Sequence, residues 1–129
     1  MNWLLIAIGS ALGGVARHGC GLLAASRWGA SFPWGTLLVN VVGSFLIGLI
    51  AALTVGKVSQ SAQLTRDFLM VGVMGGFTTF SAFSLQTLLL LREGRLAAAA
   101  ANVALSVGVC LIVVFLGYLL GTALRPAAV

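Results

Sequence analysis

Neutral hydrogen-bonding side chains are spread through three apolar stretches of this sequence. They are Asn40 and Ser44 in one stretch, Thr78, Thr79, Ser81, Ser84 and Gln86 in the next, and Asn102 and Ser106 in the last. Such residues commonly hydrogen-bond between helices in lipid, which is one interpretation of the set. Each asparagine also offers two amide hydrogens. Donors on three stretches without acidic partners therefore favour a path for an anion.

The segment 72–84, GVMGGFTTFSAFS, combines adjacent glycines with adjacent threonines. Both pairs weaken a helix, through backbone freedom and through side-chain competition for backbone hydrogen bonds. Inside a membrane such a break is tolerated only where it faces protein, a cavity or an ion, and freed carbonyls suit an alkali cation. Phe80 and Phe83 share a helix face, and their positive ring edges can meet an anion. The same spacing is also typical of ordinary packing.

Carboxylates are missing from the interior of the apolar stretches. The two in the sequence, Asp67 and Glu93, lie at predicted helix ends, whereas a proton-coupled pump of this size needs one deep within a span. The single histidine, His18, is expected near a membrane interface. Cys20 and Cys110 lack metal-ligand spacing and are expected to be free thiols. With no constellation of nucleophile, base and metal ligands, we predict that the protein is not an enzyme.

The composition determines what kind of elements carry these side chains. The 129 residues are 60% hydrophobic and 7% charged, with a mean hydropathy of +1.15, whereas soluble domains are about 45–50% apolar and about 25% charged. A bilayer core takes about 20 apolar residues per helix. We predict a single all-α domain over residues 1–129, with four transmembrane helices at 3–25, 34–55, 68–91 and 96–124. The third helix is broken near its middle.

The seven basic residues separate the apolar runs instead of forming one face. They therefore predict interfacial anchors and no nucleic-acid surface. One side of the predicted topology carries Lys57, Arg66 and Arg125, and the other carries Arg27, Arg92 and Arg95. This balance leaves two interpretations open: charge counting fails for one small protein, or the chain inserts in both orientations and pairs as an antiparallel dimer. The 17 glycines allow close helix approach and favour a homo-oligomer.

Two long segments resemble the signature motifs of the Fluc/CrcB fluoride channels. They are FPWGTLLVNVVGS at 32–44 and GGFTTFSAFS at 75–84. A third segment, GGVAR at 13–17, resembles the Gly-Gly-x-x-Arg motif of the family's first helix. The similarity extends over essentially the whole chain. It implies a dual-topology antiparallel homodimer with two pores, through which fluoride leaves the cytoplasm passively across the inner (plasma) membrane of a bacterial cell.

The resemblance also implies roles for individual residues. Phe80 and Phe83 would line the pore, and Asn40 would donate an amide hydrogen to it. The resemblance also places Ser81 and Ser84 in the polar track beside the phenylalanines and Arg17 near a vestibule. It implies that the backbone carbonyls of Gly75 and Thr78, from both subunits, surround a central structural sodium ion. Asn102 and Ser106, from the set of polar side chains in the apolar stretches, complete the predicted fluoride path as fourth-helix donors.

Three positions depart from the family pattern. Ala82 stands where threonine is often found, Gln86 where glutamate is common, and Asn102 where tyrosine can occur. These departures affect the expected details of the path. The alternative function is a small coupled membrane transporter, which the lack of a buried carboxylate disfavours. A subunit that only packs helices is a third possibility, and the set of buried polar residues disfavours it.

Overall fold

The computed structural model describes residues 2–125, and the regular secondary structure of this part of the chain is helical. The helices are α1 (Asn2–Trp28), α2 (Trp34–Thr54), α3 (60–77), α4 (Phe80–Arg92) and α5 (Leu96–Ala123). Four helical rods are long and apolar enough to span a membrane, with α3 and α4 together forming the third. The predicted all-helical fold with four spans and a broken third helix is confirmed. The extent of the single domain, 1–129, stays a prediction.

Helix α3 begins earlier than the hydropathy predicted. It starts at Gln60 instead of residue 68, because the Ser59 hydroxyl caps it and accepts a hydrogen bond of 3.3 Å from the Ala62 backbone N–H. The polar residues of this first part added nothing to the hydropathy signal. The loops stay short since Gly29, Gly56 and Gly94 adopt positive φ angles of 77°, 76° and 73° just beyond helix ends.

The middle of α3 is wound more loosely than an α-helix. Arg66–Met74 forms π turns, and the backbone N–H of Gly75 donates to the carbonyls of Gly72 and Met70. This stretch packs closely against α1. A Cβ atom added at Gly9 would lie 2.7 Å from the Phe68 carbonyl oxygen, so the two backbones are in direct contact. Small residues hold helices together in this way when lipid removes the hydrophobic driving force.

Helix α2 makes its most extensive contacts with α5. Glycines again allow the approach: a Cβ atom at Gly121 would lie 2.7 Å from the Leu49 carbonyl oxygen. Helix α4 also packs on α5. The outer faces remain apolar, with Leu111, Ile112 and Phe115 exposed on α5. Helices α2 and α5 therefore form a closely packed pair with α4 against α5, and the helix break lies beside them.

A hydrogen-bond cluster around the buried Asp67 lies at one end of the helix bundle. The Asp67 carboxylate, 9% exposed, accepts hydrogen bonds from the Asn2 amide at 2.7 Å and the Gln63 amide at 2.8 Å. The Arg66 guanidinium donates to the Thr54 carbonyl at 3.2 Å, at the end of α2. Asp67 lies two turns inside α3, so its predicted place at a helix end is wrong because the helix starts earlier, at Gln60. Asp67 links α3 to α1, and Arg66 links α3 to the end of α2.

Candidate functional site

The break between α3 and α4 consists of two extended residues. Thr78 has φ −86° and ψ 159°, and Thr79 has φ −155° and ψ 114°. Thr79 then starts α4 as its N-cap, because its hydroxyl accepts a 3.2 Å hydrogen bond from the Ala82 backbone N–H. The Thr78 hydroxyl donates back to the Met74 carbonyl at 2.9 Å. The threonines therefore both interrupt the helix and satisfy part of the backbone at the interruption.

Asn40, on α2, pairs with the interrupted backbone. Its Oδ1 accepts a 2.7 Å hydrogen bond from the Thr79 N–H, and its Nδ2 donates to the Thr79 carbonyl at 3.1 Å. The side-chain amide thus replaces the two helical partners that Thr79 has lost. Because Nδ2 carries two hydrogens, this pairing leaves one of them available. Asn40 therefore holds the break in place, which the sequence did not predict, and still has a hydrogen to donate.

The carbonyls of Gly75 and Thr78 have lost their helical donors. The Thr79 N–H, which would bond to the Gly75 carbonyl in a continuous helix, donates to Asn40, and the Ala82 N–H, the helical partner of the Thr78 carbonyl, donates to the Thr79 hydroxyl. Gly75 is also exposed on the surface of the single chain. Free carbonyl oxygens are the hard ligands that an alkali cation takes, so these two residues fit the predicted sodium ligands.

A groove of about 320 Å³ lies beside the break, between α2, α4 and α5. It contains four of the predicted path residues, Asn40, Phe80, Phe83 and Ser106. The remaining lining residues are Gly43, Ser44, Ile47, Thr78, Thr79, Val107, Cys110 and Leu111. None of the residues that line the groove carries an acidic or basic side chain. Cys110 is a free thiol here, as is Cys20 elsewhere, which confirms the prediction for both.

The two phenylalanines lie together but differ in burial. Their ring centroids are 5.2 Å apart with the planes at 50°. Phe83 is 7% exposed, whereas Phe80 is 76% exposed and projects from the surface of the single chain. Ser81 and Ser84 lie on the exposed surface of α4, outside the groove lining. The Ser84 hydroxyl donates to the Phe80 carbonyl at 2.9 Å, and the Ser81 hydroxyl lies 3.2 Å from that of Thr79.

A chain of hydrogen bonds runs from the groove into the contact between α4 and α5. The Ser106 hydroxyl donates to Asn102 Oδ1 at 3.4 Å, and Asn102 Nδ2 donates to the Thr87 hydroxyl at 2.9 Å. The Thr87 hydroxyl donates in turn to the Phe83 carbonyl at 2.8 Å. Asn102 is 1% exposed and does not reach the groove. Thr87 was not among the positions predicted from the sequence, although a hydroxyl-bearing residue one helical turn after Phe83 indicates a position on the same helix face.

A second cavity, of about 380 Å³, lies on the α1 side of the break. Arg17 and His18 line it together with Thr79 and Ala82. Helix α1 continues to Trp28, so His18 lies within the helix, and its place near a membrane interface stays a prediction. The predicted vestibule role of Arg17 remains a prediction. The methyl group of Ala82 lies where a threonine would bring a hydroxyl into this cavity.

Gln86 lies under the loop that joins α1 and α2. It lines two smaller cavities of about 170 and 210 Å³. Its Oε1 is buried, and no donor among the described residues pairs with it. The structure therefore separates Gln86 from the groove and from the break.

Four membrane-spanning rods with an uncharged groove at a helix break define a small multi-pass membrane protein. Residues 4–118 match the family model described as CrcB-like protein, Camphor Resistance (CrcB). The chain belongs to the CrcB family, which confirms the resemblance found in its motifs.

Several relatives share about half of the sequence. A protein of Methylocella silvestris is 51% identical over 129 residues, covering 97% of this chain and 96% of its own. One of Opitutus terrae is 51% identical over 124 residues, with 95% and 94% covered. One of Rhodospirillum rubrum is 52% identical over 120 residues, with 92% of each covered. All three are named fluoride-specific ion channel FluC. Since these relatives are channels, the prediction of a non-enzymatic protein is confirmed.

Proposed function

We propose that this protein is a passive channel that conducts fluoride across the membrane. The observation that carries the proposal is the groove at the helix break, where an amide, hydroxyls and two aromatic rings meet without an acidic residue. The names of relatives that are 51% identical over nearly the whole chain support the choice of ion. The alternative, a small coupled transporter, is disfavoured because the groove lining contains no carboxylate to carry a proton.

The chemistry of the groove suits a small, strongly hydrated anion. A conducting path must replace hydration water with several weak sites, so that the ion enters and also leaves. Asn40 offers its second amide hydrogen, Ser106 offers a hydroxyl, and the phenylalanines offer positive ring edges. No fixed cation lines the groove to trap the ion. Arg17, in the neighbouring cavity, raises the local anion concentration through its charge.

The functional unit is proposed to be an antiparallel homodimer with both orientations in the bacterial inner membrane. Phe80 is 76% exposed on the single chain, and a partner chain would supply the missing wall of the groove. The near balance of basic residues between the two sides supports dual topology. Two-fold symmetry duplicates every site, so a dimer carries two pores. Fluoride then flows outward whenever its cytoplasmic concentration is higher.

A sodium ion is proposed to hold the dimer centre. The carbonyls of Gly75 and Thr78, which have lost their helical donors, give four oxygens when two chains meet at a two-fold axis. When bound, the ion offsets the cost of these unpaired carbonyls in lipid. An experimental map should show density on the axis with sodium-like oxygen distances. A dimer interface without an ion at that point would refute this part of the proposal.

The test of the function is fluoride efflux from proteoliposomes loaded with fluoride, recorded with a fluoride electrode. Chloride-loaded vesicles, recorded with a chloride electrode, provide the ion control. Potassium salts with valinomycin carry the compensating charge, and no pH or sodium gradient is applied. We expect fluoride to leave faster than chloride and without a coupling gradient. Flux that required a proton or sodium gradient would establish the transporter instead, and absence of fluoride flux would refute both. Accessibility of a C-terminal tag from both sides of the membrane tests dual topology, and a single orientation would refute it.

A further inference from the structure

The Thr87 hydroxyl links α4 to α5 behind the groove. Its hydroxyl donates to the Phe83 carbonyl at 2.8 Å and accepts from Asn102 Nδ2 at 2.9 Å. A hydroxyl has one hydrogen to donate, and Thr87 uses it on Phe83. It can therefore only accept from Asn102, which must direct its NH₂ group towards α4 and its oxygen towards Ser106.

Asn102 has no freedom to find other partners. It is 1% exposed, and a buried amide that loses a partner pays a full desolvation cost. Both of its polar ends are used, one by Thr87 and the other by Ser106. The orientation of this amide is consequently set by the hydroxyl of Thr87, across the contact between α4 and α5.

The hydrogen bond from Ser106 to Asn102 is the weakest of the three. Ser106 donates to Asn102 Oδ1 at 3.4 Å, well beyond the usual O–H···O distance of about 2.7–2.8 Å. Ser106 also lines the groove. Its hydroxyl hydrogen can rotate from Asn102 to an anion in the groove at little cost, and the Asn102 oxygen receives it again when the ion has moved on.

We propose that Thr87 is a positioning residue for the ion path. Its hydroxyl fixes the Asn102 amide so that Ser106 faces an acceptor oxygen and keeps a rotatable donor at the groove. Without that hydroxyl, the Asn102 NH₂ group loses its acceptor and the amide is free to turn over. Ser106 then faces a donor, and its resting position changes. This inference rests on the proposed fluoride channel function.

The test compares three variants in the fluoride efflux assay. Thr87→Val keeps the shape and removes the hydroxyl, and we expect ~5–10-fold slower fluoride efflux, the effect of losing about one hydrogen bond at the path. Thr87→Ser restores the hydroxyl and should restore most of the rate. Thr54→Val is the matched control, since the buried Thr54 hydroxyl makes the same kind of backbone bond, 2.8 Å to the Ile50 carbonyl, far from the groove. Its flux should equal that of the wild type.

A double-mutant comparison separates positioning from general structure. If Thr87 acts through Ser106, Thr87→Val should slow efflux no further in a Ser106→Ala background. Multiplicative effects of the two changes, or wild-type flux in Thr87→Val, would overturn the inference while leaving the channel function intact. Should Thr87→Val fail to assemble, Thr87→Ala takes its place, because a smaller side chain cannot overlap its neighbours. A wild-type protein that conducts no fluoride would overturn the proposed function first, and this inference with it.

Discussion

The pairing of Asn40 with the Thr79 backbone makes a prediction about stability that is separate from ion conduction. Leucine at position 40 has a similar shape but leaves both the N–H and the carbonyl of Thr79 without their partner. Thr79 is 8% exposed, so its backbone groups depend mainly on the amide for hydrogen bonds. An unpaired buried group costs about 1–3 kcal/mol, and a side-chain hydrogen bond in a membrane contributes about 0.6 kcal/mol on average and about 1.7 at most. For the N–H and the carbonyl of Thr79 together, we expect Asn40→Leu to lower the free energy of unfolding by about 2–4 kcal/mol per chain.

The assay is equilibrium unfolding of the purified protein in mixed detergent micelles, followed by tryptophan fluorescence and circular dichroism. Asn40→Asp removes one of the two hydrogen bonds, because a carboxylate still accepts from the Thr79 N–H but repels the Thr79 carbonyl. It should unfold at an intermediate point and also conduct least, since its negative charge lies in the groove. Ser44→Ala, one turn further along the same groove, is the control. If Asn40→Leu and Ser44→Ala unfold together, Asn40 does not hold the break.

Two further predictions concern neighbouring residues. Isoleucine at Phe80 or Phe83 should slow fluoride efflux about tenfold, because the ring edge is lost, while the dimer elutes unchanged from a sizing column. Unchanged rates would show that the rings only pack. Gly76→Ala should cost about 1–3 kcal/mol in unfolding experiments, because its Cβ would overlap the Ser10 carbonyl, whereas Gly75→Ala meets nothing closer than 3.9 Å in the single chain. Gly75→Ala should instead weaken dimerisation, and equal effects of the two alanines on unfolding would contradict this.

The broad architecture was predictable because hydropathy and backbone chemistry act locally. Apolar runs of sufficient length indicated four spans, and the pairs Gly75–Gly76 and Thr78–Thr79 indicated a break. In the structure the break lies at the threonines, and the two glycines remain helical. The start of α3 at Gln60 was missed since its first turns are rich in polar residues and add little hydropathy. The π turns of Arg66–Met74 were missed as well. They depend on the close packing of α3 against α1, which no single segment reveals.

The pairings within the site were not predictable for a physical reason. Asn40 bonds to Thr79, and Asn102 bonds to Thr87, so each pair joins different helices. Which faces meet depends on the rotation of each helix about its axis. In a soluble protein an apolar stripe indicates that rotation, but helices in lipid are apolar on all sides. The sequence thus indicated which side chains were polar at depth and left their partners undetermined.

In the proposed channel, stability and conduction would depend on the same residue pair, Asn40 and Thr79. Interrupting a helix in lipid exposes N–H and carbonyl groups that each need a partner. The N–H groups of Thr79 and Ala82 receive side-chain partners, from Asn40 and from the Thr79 hydroxyl, and both of these acceptors line the groove. The carbonyls of Gly75 and Thr78 receive none from their own helix. Neutral acceptors hold the break on the groove side, where a carboxylate acceptor would repel an anion. The use of an amide and a hydroxyl at these positions follows from both requirements together.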